Sequence, residues 1–494
     1  MISECARIPV GTPTDQLRLT VIGAGYLGAT HAACMASLGF EVLCVDIDQR
    51  RIGQLARGHL PFHEPGLPEL LRTGLDSGRL RFSTSYEDAA AFGDVHFICT
   101  GTPQQPGSGR ADLTQVYGAV GALAPLLRRY CLVAGKSTVP VGTAKALVAR
   151  VAQDTDRAEL AWNPEFLREG SAVADTLAPD RIVIGVSSAC AEHLLRRVYA
   201  RQLADDVPLF VTDLETAELA KVAANAFLAT KISFINALAE MCETTGGNVR
   251  QLADIIGADP RIGPAFLRPG LGFGGGCLPK DIRAFMTSAA DAGVGESLAF
   301  LGEIDAINLR RRARTVDLAL EMAGGDLTGV RVCILGAAFK PGSDDVRDSP
   351  ALDVARVVHV MGAQVTVYDP AALESARRAC PQLTYANSVR EAARDANILL
   401  LLTEWPELAA LRPEDLSDVV AARNIIDGRN VLDPEPWGAA GWVYRALGMA
   451  AGCPRSRTRS SANPAVTGGG RAGKPGQRRP TADRAPVRAA VPSS

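Results

Sequence analysis

Residues 17–46 read LRLTVIGAGYLGATHAACMASLGFEVLCVD. The apolar, β-branched run 17–22 stops at Gly23, a helix-compatible stretch follows over 26–38, and 41–46 is a second apolar run. Strand, helix and strand in this order predict a parallel pair joined by a crossover. The junction Gly23-Ala24-Gly25-Tyr26-Leu27-Gly28 opens the helix. Its glycines allow a tight turn, close backbone approach and helix–strand packing, which points N–H groups at a pyrophosphate. Asp46 ends the second strand eighteen residues after Gly28. A carboxylate there accepts both ribose hydroxyls and repels the extra phosphate of NADP, so the pattern points to NAD. Arg51 is the nearby residue able to accommodate such a phosphate.

Short apolar runs recur at 95–100, 132–138, 159–162 and 182–186, alternating with helical segments. This is the pattern of a parallel sheet covered on both faces, hence α/β architecture. The texture changes at residue 213. From 213 to 243 there is neither Pro nor Gly, which predicts one helix of roughly 46 Å at 1.5 Å per residue. Thr212 or Asp213 can cap it, Glu215 and Glu218 suit its positive end, and Gly246-Gly247 stop it. A second α/β pattern follows at 331–335, 364–369, 397–403 and 424–427. Its turn, Gly336-Ala337-Ala338-Phe339-Lys340, has one glycine where the first has three, which argues against a second dinucleotide. Lys340, Arg347 and Arg429 point instead to a phosphate-bearing substrate. The expected divisions are an extension at 1–16, an NAD-binding unit at 17–212, a helical unit at 213–325, a second α/β unit at 326–449 and a basic tail at 450–494.

Composition narrows the class. Of 494 residues, 47% are hydrophobic and 21% charged, which excludes general disorder. No uninterrupted apolar run reaches the ~20 residues of a membrane span, and the N-terminus carries no basic-then-apolar leader. Eleven cysteines lack close pairs or metal-ligand spacing, so reduced thiols, no metal and a cytoplasmic location are expected. The net charge of −2 hides an asymmetry, because residues 451–494 carry nine Lys or Arg against one acid. That tail lacks large apolar residues and aromatics, and reads as a solvated extension rather than a nucleic-acid module.

The stretch 270–281, GLGFGGGCLPKD, holds the chemistry. Five glycines in seven residues make a backbone that can lie against a ligand. Pro279 suits a helix start, which places Cys277 at the positive end of a helix with Lys280 beside it. Both features are expected to lower the thiol pKa. A dinucleotide fold with a reactive thiol implies more than alcohol oxidation. Oxidising an aldehyde by hydride transfer needs a tetrahedral carbon that still carries hydrogen, and a thiol supplies it as a thiohemiacetal. Lys221 and Asn225 share a helix face and suit an oxyanion. Glu165 and Glu169, in a polar loop after a strand end, are candidate bases or helix caps. Asp281 reads as a base or as an ion-pair partner of Lys280.

Together the motifs VIGAGYLG, PFHEPGL, TGTP, KSTVPVGT, NPEFLREGSAVADT, PDRIVIG, ELAKVAANAFLATKISFINALAE, RIGPAFLRPGLGFGGGCLPKD, AAFKPGSDDVRDSPA and IDGRN resemble the UDP-glucose 6-dehydrogenase family of nucleotide-sugar dehydrogenases, over residues 17–445. The resemblance implies two Rossmann-like doubly wound domains joined by a long central helix, assembled at least as dimers. It implies two-step oxidation of UDP-glucose with two NAD, Cys277 as nucleophile, Lys221, Asn225 and Asp281 around the reacting carbon, and Glu165 as base in thioester hydrolysis. Thr138 falls near the nicotinamide and a catalytic water. Thr102, Glu169, Lys280 and Arg347 match cofactor positions. Phe166, Leu167, Arg168, Phe266, Leu267, Arg268, Pro269, Gly270, Gly274, Lys340 and Arg429 match substrate contacts, and Arg261 matches a residue reaching a neighbouring subunit's site. Relatives often carry Ser and Phe where this chain has Gly276 and Leu278, and Thr at Ser343. GDP-mannose or an N-acetylated UDP-sugar are alternative substrates. A catalytically silent regulator that binds NAD and a nucleotide sugar is the alternative of a different class.

Overall fold

The computed structural model describes residues 17–450, so the proposed N-terminal extension and basic tail lie outside the described residues. Two sheets organise the chain. The first holds β1 (Arg18–Ile22), β2 (Glu41–Val45), β3 (Leu80–Ser83), β4 (Val95–Ile98), β5 (Cys131–Gly135), β6 (Ala158–Trp162), β7 (Ile182–Gly185) and β8 (Leu209–Thr212), in the order β3-β2-β1-β4-β5-β6-β7-β8. Leu19, Val21, Val42 and Cys44 pack into a core on one face, while Ile22, Leu43, Val45 and Ile98 pack into another on the opposite face. The two-residue period of a strand thus divides one apolar run between two helical layers. The sheet is not wholly parallel as expected, because β6 and β7 pair antiparallel through Trp162 and Gly185. Periodicity reports that a strand is buried on both faces but carries no direction.

The second sheet contains β9 (Arg331–Leu335), β10 (Gln364–Tyr368), β11 (Thr384–Tyr385), β12 (Ile398–Leu401), β13 (Asn424–Asp427) and β14 (Val443–Ala446), ordered β11-β10-β9-β12-β13-β14 and parallel throughout. In both sheets the order reverses beside the first strand, at β1/β4 and at β9/β12. Open α/β sheets form ligand crevices beyond the carboxyl ends of strands at such points.

Six helices position the site: α1 (Tyr26–Ser37), α2 (Thr143–Asp154), α3 (Ala172–Leu177), α4 (Leu214–Thr245), α5 (Leu278–Asp291) and α6 (Phe300–Met322). The central helix α4 has 32 residues; Asp213 caps it by accepting Thr216 N–H at 2.6 Å, and Gly246 ends it at φ +81°. It is long and apolar enough to cross a bilayer by length and composition. It nevertheless buries Glu218, Lys221, Asn225 and Asn236 among protein, the pattern of a core helix.

Most thiols are free and buried: Cys34, Cys44, Cys99, Cys131, Cys242, Cys333 and Cys380. Cys277 is free and exposed. The expectation of reduced thiols fails at Cys190, which is disulfide-bonded; it lies in the first turn of the surface helix Ala189–Val198.

Candidate active site between the two sheets

The glycine turn after β1 has three glycines with different tasks. Gly23 adopts φ +99°, and a Cβ there would lie 2.8 Å from Cys99 O; a Cβ on Gly28 would lie 1.7 Å from Gly23 O. A Cβ on Gly25 would meet nothing within 4 Å. The outer glycines close the turn, and the middle one leaves open room at the start of α1, a cradle shaped for a pyrophosphate. Asp46 accepts Ala24 N–H at 2.7 Å and pairs with Arg51 at 3.0 Å. Arg51 is therefore held by Asp46 instead of standing free.

The second sheet repeats this turn and closes it. Asp369, 1% exposed, accepts Ala337 N–H at 2.7 Å, Ala338 N–H at 2.9 Å and the Trp405 indole N–H at 3.1 Å. Asp46 takes the corresponding Ala24 N–H in the first turn, so the difference lies one residue on, where the N–H of Ala338 is also occupied while Gly25 leaves open room.

The reactive residues converge where α4 and α5 meet the strand ends. Lys221 on α4 pairs with Glu165 at 3.0 Å, both largely buried, and Glu165 also accepts Leu167 N–H at 2.7 Å. Burial opposes the Lys221 charge, but Glu165, Cys277 and Asp281 outweigh it, and its pKa rises. One turn along α4, Asn225 donates to Asp281 at 2.7 Å, and Lys280 pairs with the same carboxylate at 2.5 Å. Thr102 donates to Thr138 O at 2.8 Å. Both threonines line a cleft with Lys280 and Asp281.

Cys277 stands just before α5, as expected, and Pro279 lies in the first turn. Its pKa does not follow the expectation. The residue is exposed, yet desolvation by the surrounding protein, then Asp281 and Glu165, push its thiol up to about 12 against Lys221 and Lys280. The lysines are spent on those carboxylates, so their pull on the thiol is largely cancelled. Glu165 comes from a distant segment, and its distance from Cys277 could not be read from the local sequence.

Buried polar residues that sequence reasoning missed hold the loop that leads to Cys277. Asn308 on α6 bonds the peptide groups on both sides of one residue, accepting Phe273 N–H at 2.7 Å and donating to Phe273 O at 3.0 Å, and Arg312 donates to the same carbonyl at 3.2 Å. Asn236 accepts Gly270 N–H at 2.9 Å. Arg429 donates to Gly272 O at 2.9 Å and to Leu402 O at 2.7 Å. Asparagines inside helices with no capping position were the available sign of this role.

A second cluster bridges the sheets. Glu169 receives Ser343 at 3.2 Å and Arg347 at 3.3 Å, while Arg347 also binds Asp345 at 2.6 Å. Burial and then Asp345 raise Glu169 to about 7 against Arg347 and Lys340. Burial lowers the pKa of Lys340. A Cβ on Gly276 would sit 2.4 Å from the Arg347 guanidinium carbon, so the glycine gives that cation its place. Gly270 and Gly274 pack tightly on Gly428 and Asp348 of the second sheet's loops. Phe266 adopts φ +63°, and Leu267 and Pro269 are buried. Within this one chain Arg261 is exposed and pairs with Asp259, Arg268 is exposed, and Arg168 is tied to Asp175. Phe166 stacks under Arg181 at 4.0 Å.

Comparison with known proteins fits this geometry. Residues 17–203 match the NAD binding domain of the UDP-glucose/GDP-mannose dehydrogenase family, 215–310 its central domain and 333–434 its UDP binding domain. The UDP-glucose 6-dehydrogenase of Rhizobium meliloti (strain 1021) is 41% identical over 437 residues, covering 87% of this chain and 99% of the relative. UDP-glucose 6-dehydrogenase TuaD of Bacillus subtilis (strain 168) is 39% identical, covering 88% and 94%. Among solved structures, a UDP-glucose dehydrogenase from the hyperthermophilic archaeon Pyrobaculum islandicum superposes with a TM-score of 0.82 at 37% identity, covering 90% of this chain and all of that one. A UDP-D-ManNAc dehydrogenase from Pyrococcus horikoshii gives 0.77 at 27%, covering 88% and all of that chain. A glycine turn built for one dinucleotide, a second turn closed to it, and a cysteine between them are thus accompanied by matches to all three domains: the chain belongs to the UDP-glucose/GDP-mannose dehydrogenase family.

Proposed function

We propose that this chain oxidises the C6 hydroxymethyl group of UDP-glucose to the carboxylate of UDP-glucuronate, with two NADH formed per turnover. The observation that carries the reading is the convergence of Cys277, Lys221, Asn225, Asp281 and Glu165 at one point between the sheets. NAD, held along Gly23–Gly28 and near Asp46, Thr102, Thr138, Glu169, Lys280 and Arg347, supplies the hydride acceptor for both oxidations. Lys221 and Asn225 hold the C6 oxygen as the alcohol loses a proton and a hydride to become an aldehyde. The Cys277 S–H then adds across that carbonyl, giving a thiohemiacetal. Loss of a second hydride from the carbon and a proton from its hydroxyl leaves a thioester. Glu165 takes a proton from water as the water oxygen attacks the thioester, releasing the acid and restoring the thiol. Lys221 beside Glu165 supplies positive charge to the oxyanion.

Lys340, Arg429 and the 266–270 loop bind the UDP moiety in this reading, supported by the match to the family's UDP binding domain. UDP-glucose is favoured over an N-acetylated sugar because relatives at 37–41% identity carry the UDP-glucose name while the UDP-D-ManNAc enzyme stands at 27%. We also propose the division into units at 17–212, 213–325 and 326–449, a cytoplasmic location, and a homodimer or larger assembly in which Arg261 reaches the neighbouring site. Exposed Phe227, Phe234 and Met241, spaced by seven along α4, support that assembly. The test is stoichiometry: purified protein releases two NADH per UDP-glucose, and Cys277→Ala forms no acid. One NADH per sugar, or full turnover by the variant, rejects the thioester route.

A further inference from the structure

Glu64, in the stretch PFHEPGL, is 2% exposed. One carboxylate oxygen accepts Ala172 N–H at 2.7 Å. The other accepts Gly170 N–H at 2.6 Å and the Tyr26 hydroxyl. A carboxylate taken out of water needs its lone pairs filled; here backbone N–H groups and a phenol fill them. The three partners belong to separate parts of the site. Tyr26 is the first residue of α1, directly after the open Gly25. Gly170 follows Glu169, adopts φ +77°, and lies so close to the second sheet's loop that a Cβ would stand 2.8 Å from Gly342 O. Ala172 opens α3. One residue earlier, His63 N–H donates to Asp344 at 2.9 Å. Tyr26 and Phe62 on one wall, with Glu169, Ser343, Asp345 and Arg347 on the other, enclose an open cleft of ≈ 470 Å³.

We propose that Glu64 is a positioning residue for the cofactor: it ties the glycine turn, through Tyr26, to the backbone that carries Glu169, and so sets the spacing of the two cleft walls. The proposal rests on the reading of that turn as the NAD site. It separates Glu64 from residues that only stabilise the fold, because a change there is felt in cofactor binding and not in binding of the UDP moiety, which the second sheet's loops hold.

The test uses the full chain, titrated with NADH by fluorescence and assayed with NAD and UDP-glucose. Glu64→Gln places an NH₂ group against N–H donors, and the expected result is about a tenfold rise in NADH Kd and NAD KM with UDP-glucose KM within about twofold. Tyr26→Phe, which removes one hydroxyl, raises the same two constants about threefold. The double variant binds NADH no more weakly than Glu64→Gln alone, because both changes cut one connection. Equal rises in both KM values, an unchanged NAD KM, or additive losses in the double variant overturn the proposal. If Glu64→Gln does not fold, Tyr26→Phe decides, and wild-type NADH affinity in that variant is the refuting result. Wild-type protein that binds no NADH would instead remove the cofactor reading itself.

Discussion

Replacing Asp281 with Asn removes one negative charge beside Cys277 and leaves the side-chain volume nearly unchanged. Asp281 N–H donates to Cys277 O at 3.0 Å, a helical i,i+4 relation, which puts the two side chains roughly 6 Å apart. A unit charge at that distance in an effective dielectric of about 20 is worth about 3 kcal/mol, or about two pKa units. Cys277 faces solvent, and screening reduces this to about one unit. The thiol, near 12 in the wild type, then falls by about one unit, and at pH 8.5 its thiolate fraction rises about tenfold. The assay is iodoacetamide labelling of the protein without substrate, read by mass spectrometry on the peptide holding Cys277. Wild-type labelling climbs about tenfold per pH unit from 7 to 10 without a plateau, and Asp281→Asn labels about tenfold faster at pH 8.5. Lys221→Met, which removes a positive charge, labels more slowly. Turnover of Asp281→Asn still drops, because Asn225 and Lys280 lose the carboxylate that orients them. A wild-type plateau below pH 9, or labelling of Asp281→Asn at the wild-type rate, would refute the electrostatic account.

Gly276→Ser forces the Arg347 guanidinium aside; because that group ends a flexible side chain, the expected cost is a few-fold rise in NAD KM with UDP-glucose KM unchanged, and steady-state kinetics read it. Glu218 on α4 accepts Gly142 N–H at 2.7 Å and Ala144 N–H at 2.6 Å at the start of α2, and burial raises it to about 7. A carboxyl whose pKa rises on folding binds its proton more tightly in the native state, so its stabilisation is complete below about 4.5 and is lost as pH climbs through about 7. Wild-type Tm should therefore fall between pH 5 and 8, and Glu218→Gln should flatten that slope; an unchanged slope rejects the assignment. Asn308→Leu strands the Phe273 N–H in the interior and leaves its C=O to Arg312 alone, costing about 1–3 kcal/mol for the orphaned N–H, so calorimetry should show a clear loss of Tm.

The sequence was most informative where one local segment carries the whole physical argument. The glycine turn, the uninterrupted α4 with Asp213 as its cap, and the placement of Cys277 before α5 all depend on neighbours in the chain. What stayed hidden depends on distant partners. The antiparallel joint between β6 and β7 is a matter of strand direction, which burial patterns do not encode. β11 has two residues and offers too little periodicity to read. The thiol was expected to be acidified by its helix and Lys280; the structure shows Lys280 held by Asp281, and Glu165 arriving from another strand end. The partners of Glu64, Asn236 and Asn308 were unreadable for the same reason, since a buried polar side chain declares its purpose only through the peptide group it meets.

The closed turn at Asp369 has a consequence for how the two halves share labour. Both sheets reverse their order at the same place, and in both a carboxylate takes the first N–H of the turn, but only in the second does it also take the next one. In that second turn one carboxylate holds both N–H groups and is itself held by the Trp405 indole. A duplicated scaffold can diverge in this way without losing its architecture: one copy keeps the socket, the other fills it and is left free to recognise a different molecule with its loops. Converting the plugged copy back to a dinucleotide holder would require removing Asp369 as well as adding glycines, because the obstruction is a filled bond rather than a missing one.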